Sequence, residues 1–313
     1  MKEYGISVSD AGRRLDRFCE SILAGAPSSF IYKMLRKKNI VLNDKKAEGK
    51  ETLQNGDTVK FYLADDTFSK FSKKHDDEPD LSHLMPPVVY EDADILIVNK
   101  PSGMLTQKSA PEDISLNEIC LSYVTEKKES VPGNDMTFTP SVCNRLDRNT
   151  SGLVTFAKTY RAARFLTSAF RDRTIHKFYD CIVVGKITED MSLSAKLSKD
   201  AAANKVTIGD EGRDIITNIC PVRTNDTLTY VKVQLITGRP HQIRAHLASV
   251  GHPLIGDGKY GDANINSEYK KKYGLRHQLL CCTKLVFPGN CEIQALSGKE
   301  ITISVPDIFN RVM

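Results

Sequence analysis

Long apolar runs are missing from this chain. The longest, such as Ile95-Leu96-Ile97-Val98, fall far short of the ~18–20 residues a membrane span needs. The first residues, Met1-Lys2-Glu3-Tyr4-Gly5, carry an acid and lead into no apolar core, so no signal peptide is expected. Paired cysteine motifs are missing too. The eight cysteines are scattered, with no CxxC and one adjacent pair, Cys281-Cys282, which reads as two core thiols. That pattern is neither a disulfide framework nor a zinc ribbon, and it fits a reduced cytoplasm. There is no GxGxxG, and Lys100-Pro101-Ser102-Gly103 is too short and glycine-poor for a phosphate-cradling loop. His241, His246 and His252 lack HExxH spacing and an acid partner, so helix packing and phosphate contact are expected of them, not metal ligation. No internal repeat is visible.

What is there is ordinary in bulk and uneven in detail. The 313 residues are 40% hydrophobic and 27% charged, which excludes a collagen-like or wholly disordered chain. Residues 1–64 hold twelve Lys/Arg against eight Asp/Glu, a net +4, whereas residues 65–85 hold three Lys against six acids, a net −3. The second stretch has little apolar content and ends at Pro86-Pro87. We therefore expect a small domain at 1–64, a charged linker at 65–85 and a large domain at 86–313.

In the first segment Leu15, Phe18, Cys19, Ile22 and Leu23 follow helical spacing. A second helix is expected after Pro27, with Ser28 or Ser29 as N-cap and Phe30, Ile31, Met34 and Leu35 as its apolar stripe. A short strand Ile40–Leu42, a turn at Asn43-Asp44 and an alternating strand with Val59, Phe61 and Leu63 should follow. Lys33, Arg36, Lys37 and Lys38 crowd the polar side of the second helix, and Lys45 and Lys46 come after the turn. Residues 31–46 thus hold six cations and one acid, Asp44. A solvated helix face is the ordinary explanation of a charge run. So dense a patch in so small a unit is also what binding to a phosphate backbone requires. No alternating aromatics offer a stacking platform on a strand pair. Gly12-Arg13-Arg14-Leu15-Asp16 and Lys33-Met34-Leu35-Arg36-Lys37-Lys38-Asn39-Ile40-Val41-Leu42-Asn43 resemble the alpha-L RNA-binding domain of the ribosomal S-four type.

In the large domain, strands are expected at Val88–Tyr90, Ile95–Asn99, Leu153–Ala157, Phe178–Val184, Thr229–Ile236, Leu279–Phe287, Cys291–Ala295 and Ile301–Val305. Helices are expected at Leu116–Val124, Tyr160–Phe170 and Pro240–Val250, the last with Gly251 just past its end. Strands outnumber helices and most are joined by turns. The fold class is therefore α+β with a mixed, largely antiparallel sheet, not a doubly wound nucleotide binder.

Two stretches point to chemistry. In Asn144-Arg145-Leu146-Asp147-Arg148-Asn149-Thr150-Ser151-Gly152-Leu153, one carboxylate lies between two arginines just before a strand. Flanking cations favour the ionised form of a carboxylate, suiting it to act as nucleophile or base, although a turn with surface ion pairs would look the same. The second stretch is Thr237-Gly238-Arg239-Pro240-His241-Gln242-Ile243-Arg244-Ala245-His246-Leu247, continuing to Gly256-Asp257 and Tyr260-Gly261. On this helix Ile243, Leu247 and Val250 should be the buried stripe, with Arg244 at its edge. A cation there calls for a buried carboxylate partner, and Asp147 is the candidate.

Taken in order, these motifs resemble the RluA family of RNA pseudouridine synthases. Lys100-Pro101-Ser102-Gly103 fits that family's first motif, and Lys177-Phe178-Tyr179 followed by Val183-Val184-Gly185 fits its tyrosine strand. With the alpha-L segment in front, the resemblance is to the subgroup acting on large-subunit ribosomal RNA. It implies a pseudouridine synthase fold and an isomerisation of uridine that needs no cofactor and no metal. It also implies roles: Asp147 as the catalytic carboxylate, Tyr179 against the target base, Arg244 ion-paired to Asp147, and Arg145 helping to fill the gap left by the flipped base. RNA contacts are expected from Arg145, Arg148, His241, Gln242, Lys33, Arg36, Lys37 and Lys38. Two positions depart from the family pattern: Asn144 stands where many members have His, and Leu279-Leu280-Cys281-Cys282 lacks a His found there in many relatives. The partner implied is RNA, ribosomal before transfer RNA, bound by a cytoplasmic monomer without a membrane. The rival is an RNA-binding assembly factor of the same fold, which would be expected to have lost Asp147, Tyr179 or Arg244. A nucleoside hydrolase would need a second catalytic carboxylate.

Overall fold

The structure, a computed structural model, describes residues 1–8, 10–72, 79–129, 138–200 and 205–313. In the N-terminal unit, helix α1 (Leu15–Ile22) buries Leu15, Phe18 and Cys19, and α2 (Ser28–Arg36) buries Ile31, Met34 and Leu35. The N-cap of α2 is Pro27, not a serine; Ser28 is already helical, and its hydroxyl donates to Glu20 at 2.9 Å. Strands β1 (Lys2–Gly5), β2 (Ile40–Leu42), β3 (Lys45–Lys46) and β4 (Thr58–Phe61) form a sheet in the order β1-β4-β2-β3. The β2–β3 hairpin turns through Asn43 and Asp44, both with left-handed backbone (φ 50° and 59°). That is the geometry a tight two-residue hairpin needs, and Asn and Asp tolerate it best after glycine. The stretch expected as a linker opens with a helix, α3 (Asp65–Phe71). Phe68 is buried in the small core, and Phe71 packs on Phe30 with ring centroids 4.7 Å apart. The small core therefore draws on residues past 64. The rest of the expected linker lies partly outside the described residues, at 73–78.

The second unit is built on one large sheet. Its strands are β5 (Val88–Glu91), β6 (Ile95–Lys100), β7 (Ser141–Val142), β8 (Ser151–Ala157), β9 (His176–Val184), β10 (Met191–Asp200), β11 (Lys205–Gly209), β12 (Arg213–Thr224), β13 (Leu228–Leu235), β14 (Leu280–Val286) and β15 (Glu300–Thr302). The order is β11-β10-β12-β13-β9-β14-β8-β6-β5, with β15 on β14 and β7 on β8. Among the described residues every ladder between these strands is antiparallel except β8–β14, so the sheet is mixed and largely antiparallel, as expected. Helices α4 (Leu116–Glu129), α5 (Tyr160–Arg171), α6 (Gln242–Ser249), α7 (Ala263–Tyr273) and α8 (Ile308–Val312) complete it. No helix among the described residues is long and apolar enough to cross a membrane.

Some elements differ from the sequence expectation. Cys291–Ala295 is not a strand: the Cys291 N–H bonds to the Ser297 hydroxyl at 3.1 Å instead of a neighbouring strand, and the chain turns through a short 3-10 helix at Gln294–Leu296. Helix α7 was not expected from the sequence; its stripe Ile265, Tyr269 and Tyr273 is only partly buried, against a small core cluster. Helix α6 starts at Gln242, two residues after Pro240, because His241 takes a left-handed backbone (φ 54°). Gly251, with φ 84°, does lie past its end. Val250 is exposed and not part of a stripe, whereas Gln242 through Leu247 are all buried.

The sheet register brings the separate motifs together. Lys100 at the end of β6 pairs with Gly152 of β8, Gly152 pairs with Cys282 of β14, and Cys282 pairs with Tyr179 of β9. Paired residues on adjacent strands share a face of the sheet. Gly152 has φ 115°, and a Cβ there would stand 2.3 Å from the Cys282 carbonyl oxygen. Only glycine fits that backbone-to-backbone approach.

Candidate active site

The loop between β7 and β8 carries Asp147, and almost every residue of it is tied down. The Asn144 side chain donates to the Leu153 carbonyl (3.3 Å) and accepts from the N–H and hydroxyl of Thr155 (2.7 and 3.0 Å). The amide at this position therefore clamps the loop onto β8. Thr106 donates its hydroxyl to the Leu146 carbonyl (2.8 Å) and accepts from the Leu146 N–H (3.2 Å). The Asp147 carbonyl accepts from the Thr150 N–H at 3.0 Å. Ser102 donates to the Asn149 carbonyl at 2.8 Å. Lys100, fully buried, donates its three protons to the carbonyls of Pro101 (3.0 Å), Met104 (2.8 Å) and Arg148 (3.1 Å). Burial lowers its pKa to about 8, against the opposing pull of Asp147 and Cys281. The first motif thus supplies an ammonium beneath the aspartate loop, stapling it to the 101–104 turn.

Arg244 of α6 reaches this loop. Its Nη1 donates to Asp147 Oδ2 at 3.0 Å. The expected partner is present, but a stronger one was not foreseen. Asp257, with no exposure, accepts from Arg244 Nε at 2.7 Å and Nη2 at 2.9 Å, a bidentate fork. Burial alone would raise the Asp257 pKa, yet the Arg244 fork and the N–H groups of Lys259 and Tyr260 hold it below the ordinary value. Asp257 thus neutralises and aims the guanidinium, leaving one nitrogen for Asp147, whose side chain keeps 26% exposure against 7% for Arg244. Spacing alone could not separate these partners, because the sequence places Asp257 in a Gly-Asp-Gly turn like any surface turn.

Tyr179 is buried beside them. It pairs with Cys282 across β9 and β14, and burial first, then the neighbouring Cys282 and Asp147, raises its pKa well above the usual phenol range. Cys282 itself is pushed up to about 12 by burial. The cysteine pair is in the core, as its apolar strand implied, and one of the two is the strand partner of the site tyrosine. Successive residues of β9 face opposite ways, so Asp180 lies on the far side. There, with Tyr230, Lys232 and Thr283, it lines a hollow of about 1210 Å³ that is separate from Asp147.

The other expected site residues are distributed unevenly. Arg145 is exposed next to Asp147. Arg148 is exposed, but its Nε donates to the Gly103 carbonyl at 3.2 Å. His241 is half-buried at the edge of the site, its Nδ1 3.0 Å from the Tyr260 hydroxyl. Gln242 is buried. Its oxygen accepts from Thr237 (2.8 Å) and the Arg239 N–H (3.1 Å), and its nitrogen donates to the Ile216 carbonyl and the Thr217 hydroxyl (3.0 Å each). The whole amide is spent inside the protein, where it joins α6 to β12. His246 bonds Thr217 at 3.0 Å and His252 bonds the Val184 carbonyl at 3.0 Å, so each of the three histidines has its own partner. Lys33, Arg36, Lys37 and Lys38 are exposed on and just after α2, in the N-terminal unit, with no ion pair among the described residues. Asp44, the lone acid nearby, is bound to Lys60 at 2.7 Å.

Known proteins resemble this chain over most of its length. Residues 94–249 match the family model described as RNA pseudouridylate synthase. The chain is 30% identical over 319 residues to the ribosomal large subunit pseudouridine synthase C of Rickettsia bellii, covering 97% of this chain and 98% of that one. It is 28% identical over 302 residues to the protein of the same name from Vibrio cholerae, covering 95% and 90%. Among solved structures, human RNA pseudouridylate synthase domain containing 1 has a similar fold, with a TM-score of 0.54 at 24% identity, over 74% of this chain and 87% of that one. The chain belongs to the RNA pseudouridine synthases, a family of isomerases, and within them to the RluA branch.

Proposed function

We propose that this enzyme converts specific uridines of large-subunit ribosomal RNA to pseudouridine, with Asp147 as the catalytic carboxylate. In that isomerisation the N-glycosidic bond of uridine breaks, the uracil turns, and the ring rejoins the ribose through carbon; no atom is gained or lost. The observation that carries the reading is the Arg244 guanidinium, fixed by buried Asp257 and donating from its remaining nitrogen to a partly exposed Asp147 at 3.0 Å. Such an arrangement places an anion in fixed geometry at a loop that RNA can reach, which is what electrostatic preorganisation requires. Tyr179, next to it, offers an aromatic ring to a base taken out of its stack. Flipping costs about a few kcal/mol, and stacking returns about 1–3 kcal/mol. The ribosomal target is supported by the names of the relatives and by the exposed cations of α2. Such cations contact phosphates and set position without reading sequence.

Mapping pseudouridines across total RNA from cells with and without the gene tests the substrate. At least one uridine of the large ribosomal RNA should lose its modification. Asp147→Asn keeps shape and loop packing but removes the anion. It should abolish product while RNA affinity stays within about threefold, because docking rests on phosphate contacts. Turnover above ~1% of wild type would remove Asp147 from the role, whose loss should cost several powers of ten.

A further inference from the structure

One side chain at the site belongs to no motif role. Tyr260, in the turn after Asp257, has its ring under the Arg244 guanidinium at 5.2 Å. Its hydroxyl accepts the Val206 N–H from β11 at 2.9 Å and lies 3.0 Å from His241 Nδ1. The two rings meet edge to face, with centroids 5.7 Å apart. A phenol has one proton to give. With the Val206 N–H already pointing at the oxygen, His241 Nδ1 is the acceptor within bonding distance among the described residues. In a neutral imidazole that receives a bond at Nδ1, the proton sits on Nε2. The hydrogen bond of the half-buried imidazole within the described residues is the one at Nδ1, which leaves Nε2 for a partner from outside. The backbone supports this placement. His241 holds a left-handed φ of 54° just before α6, a backbone that histidine adopts more readily than most residues and that sets the imidazole beside Tyr260.

We propose that Tyr260 is a positioning residue that locks His241 as the neutral Nε2–H tautomer, so that His241 presents one hydrogen-bond donor and no charge to RNA bound at Asp147. The RNA part of this statement rests on the function proposed above; the tautomer does not. The groups around the imidazole are Asp147 from its loop, Arg244 from α6, Asp257, Lys259 and Tyr260 from the following turn, and Lys205 of β11, whose ammonium lies 5.2 Å over the Tyr260 ring. Burial lowers the His241 pKa, Asp147 and Asp257 oppose this, and Arg244 and Lys259 reinforce it. Protonation of Nδ1 would also deprive the Tyr260 hydroxyl of its acceptor. A neutral donor at this place binds an oxygen of the RNA without competing with Arg244 for Asp147.

Ring-nitrogen NMR of the full chain carrying isotope-labelled histidine reads the tautomer directly, without RNA. His241 should show a bare Nδ1 and a protonated Nε2, and should stay neutral to below about pH 6.5, the ordinary histidine value. Tyr260→Phe keeps the ring under Arg244 and removes only the hydroxyl. In that variant the His241 titration midpoint should rise and its tautomers should mix. Its activity deficit relative to wild type should be about fivefold larger at pH 6 than at pH 8, where the imidazole is neutral again. A loss of packing alone would lower activity equally at both. As a conservative rescue, His241→Gln, which carries an amide N–H near the Nε2 position, should retain more activity than His241→Asn and lose the acid limb of the profile. A proton on Nδ1 in the wild-type spectrum, or a Tyr260→Phe deficit that does not vary with pH, overturns the proposal. Should Tyr260→Phe not fold, the wild-type spectrum and the two His241 variants decide. If wild type forms pseudouridine in no RNA, the function reading fails while the nitrogen spectrum still settles the tautomer.

Discussion

Arg244 divides its three nitrogens between two carboxylates, and the division has measurable consequences. Asp257 takes two of them in complete burial and Asp147 takes one with partial exposure. Breaking a buried pair from one side leaves an uncompensated charge, at a cost of about 3–5 kcal/mol. Arg244→Met should therefore destabilise the fold by roughly that amount. Adding Asp147→Asn should relieve little of it, whereas adding Asp257→Asn should relieve most, because Asp257 is the anion left behind. A double-mutant cycle on denaturant unfolding should give coupling above about 2 kcal/mol for Arg244 with Asp257 and below about 1 kcal/mol for Arg244 with Asp147. Equal couplings would mean that the fork does not dominate. Lys100 makes a second case. Its folded pKa of about 8 lies below the ~10.4 of an unfolded lysine. Between those values the unfolded chain binds more protons, so this residue should make stability rise with pH from about 8 to about 10. Thermal unfolding of Lys100→Met should lack that rise; parallel curves for the two proteins would contradict the assignment.

At the scale of elements, the pinned loop depends on a strand that follows it far along the chain. Gly152→Ala would push a Cβ to 2.3 Å from the Cys282 oxygen at a left-handed φ. It should part β8 from β14 and cost more than about 2 kcal/mol, and activity should fall with it even where the variant folds. Near-wild-type melting and turnover would refute this. The motif segments were legible in the sequence because each is local: an aspartate among small polar residues, a helix with a misplaced arginine, a tyrosine on an apolar strand. Their meeting was not, since the Lys100–Gly152–Cys282–Tyr179 row is a matter of register between strands distant in sequence. Asp257 and Tyr260 lie within the second motif stretch but carried no role in the sequence for a related reason: a turn residue reveals its partner only when another element packs on it. Helix α7 and strand β10 escaped because periodicity signals burial: α7 only partly buries Ile265, Tyr269 and Tyr273, and of the alternating Met191, Leu193, Ala195 and Leu197 in β10 only Leu197 is buried. Strand β12 does alternate, but its buried row Ile215, Thr217 and Ile219 has a polar residue at its centre.

Across the whole molecule, the densest cation patch and the candidate active site lie in different units. The six cations of residues 31–46 lie on the N-terminal unit, and that unit's core includes Phe68 and Phe71. A truncation that removes the whole unit therefore takes out residues 1–72. It should weaken binding to structured RNA and flatten its salt dependence. Four to six phosphate contacts at about 0.7–0.9 each would lower the log–log slope by roughly three to five. Unchanged slopes would reduce the α2 cations to a solvated face. The catalytic unit has a different dependence, set by the parallel pairing of β8 with β14. Those strands are more than a hundred residues apart, so the loop they close is among the most costly in entropy and the slowest to form. As the chain leaves the ribosome, the aspartate loop, the tyrosine strand and the arginine helix all emerge before the strand that aligns them. A nascent chain that stops short of residue 280 holds Asp147, Tyr179 and Arg244 but lacks the strand that aligns their elements. Activity should therefore be absent from any chain in which β14 has not yet emerged and paired.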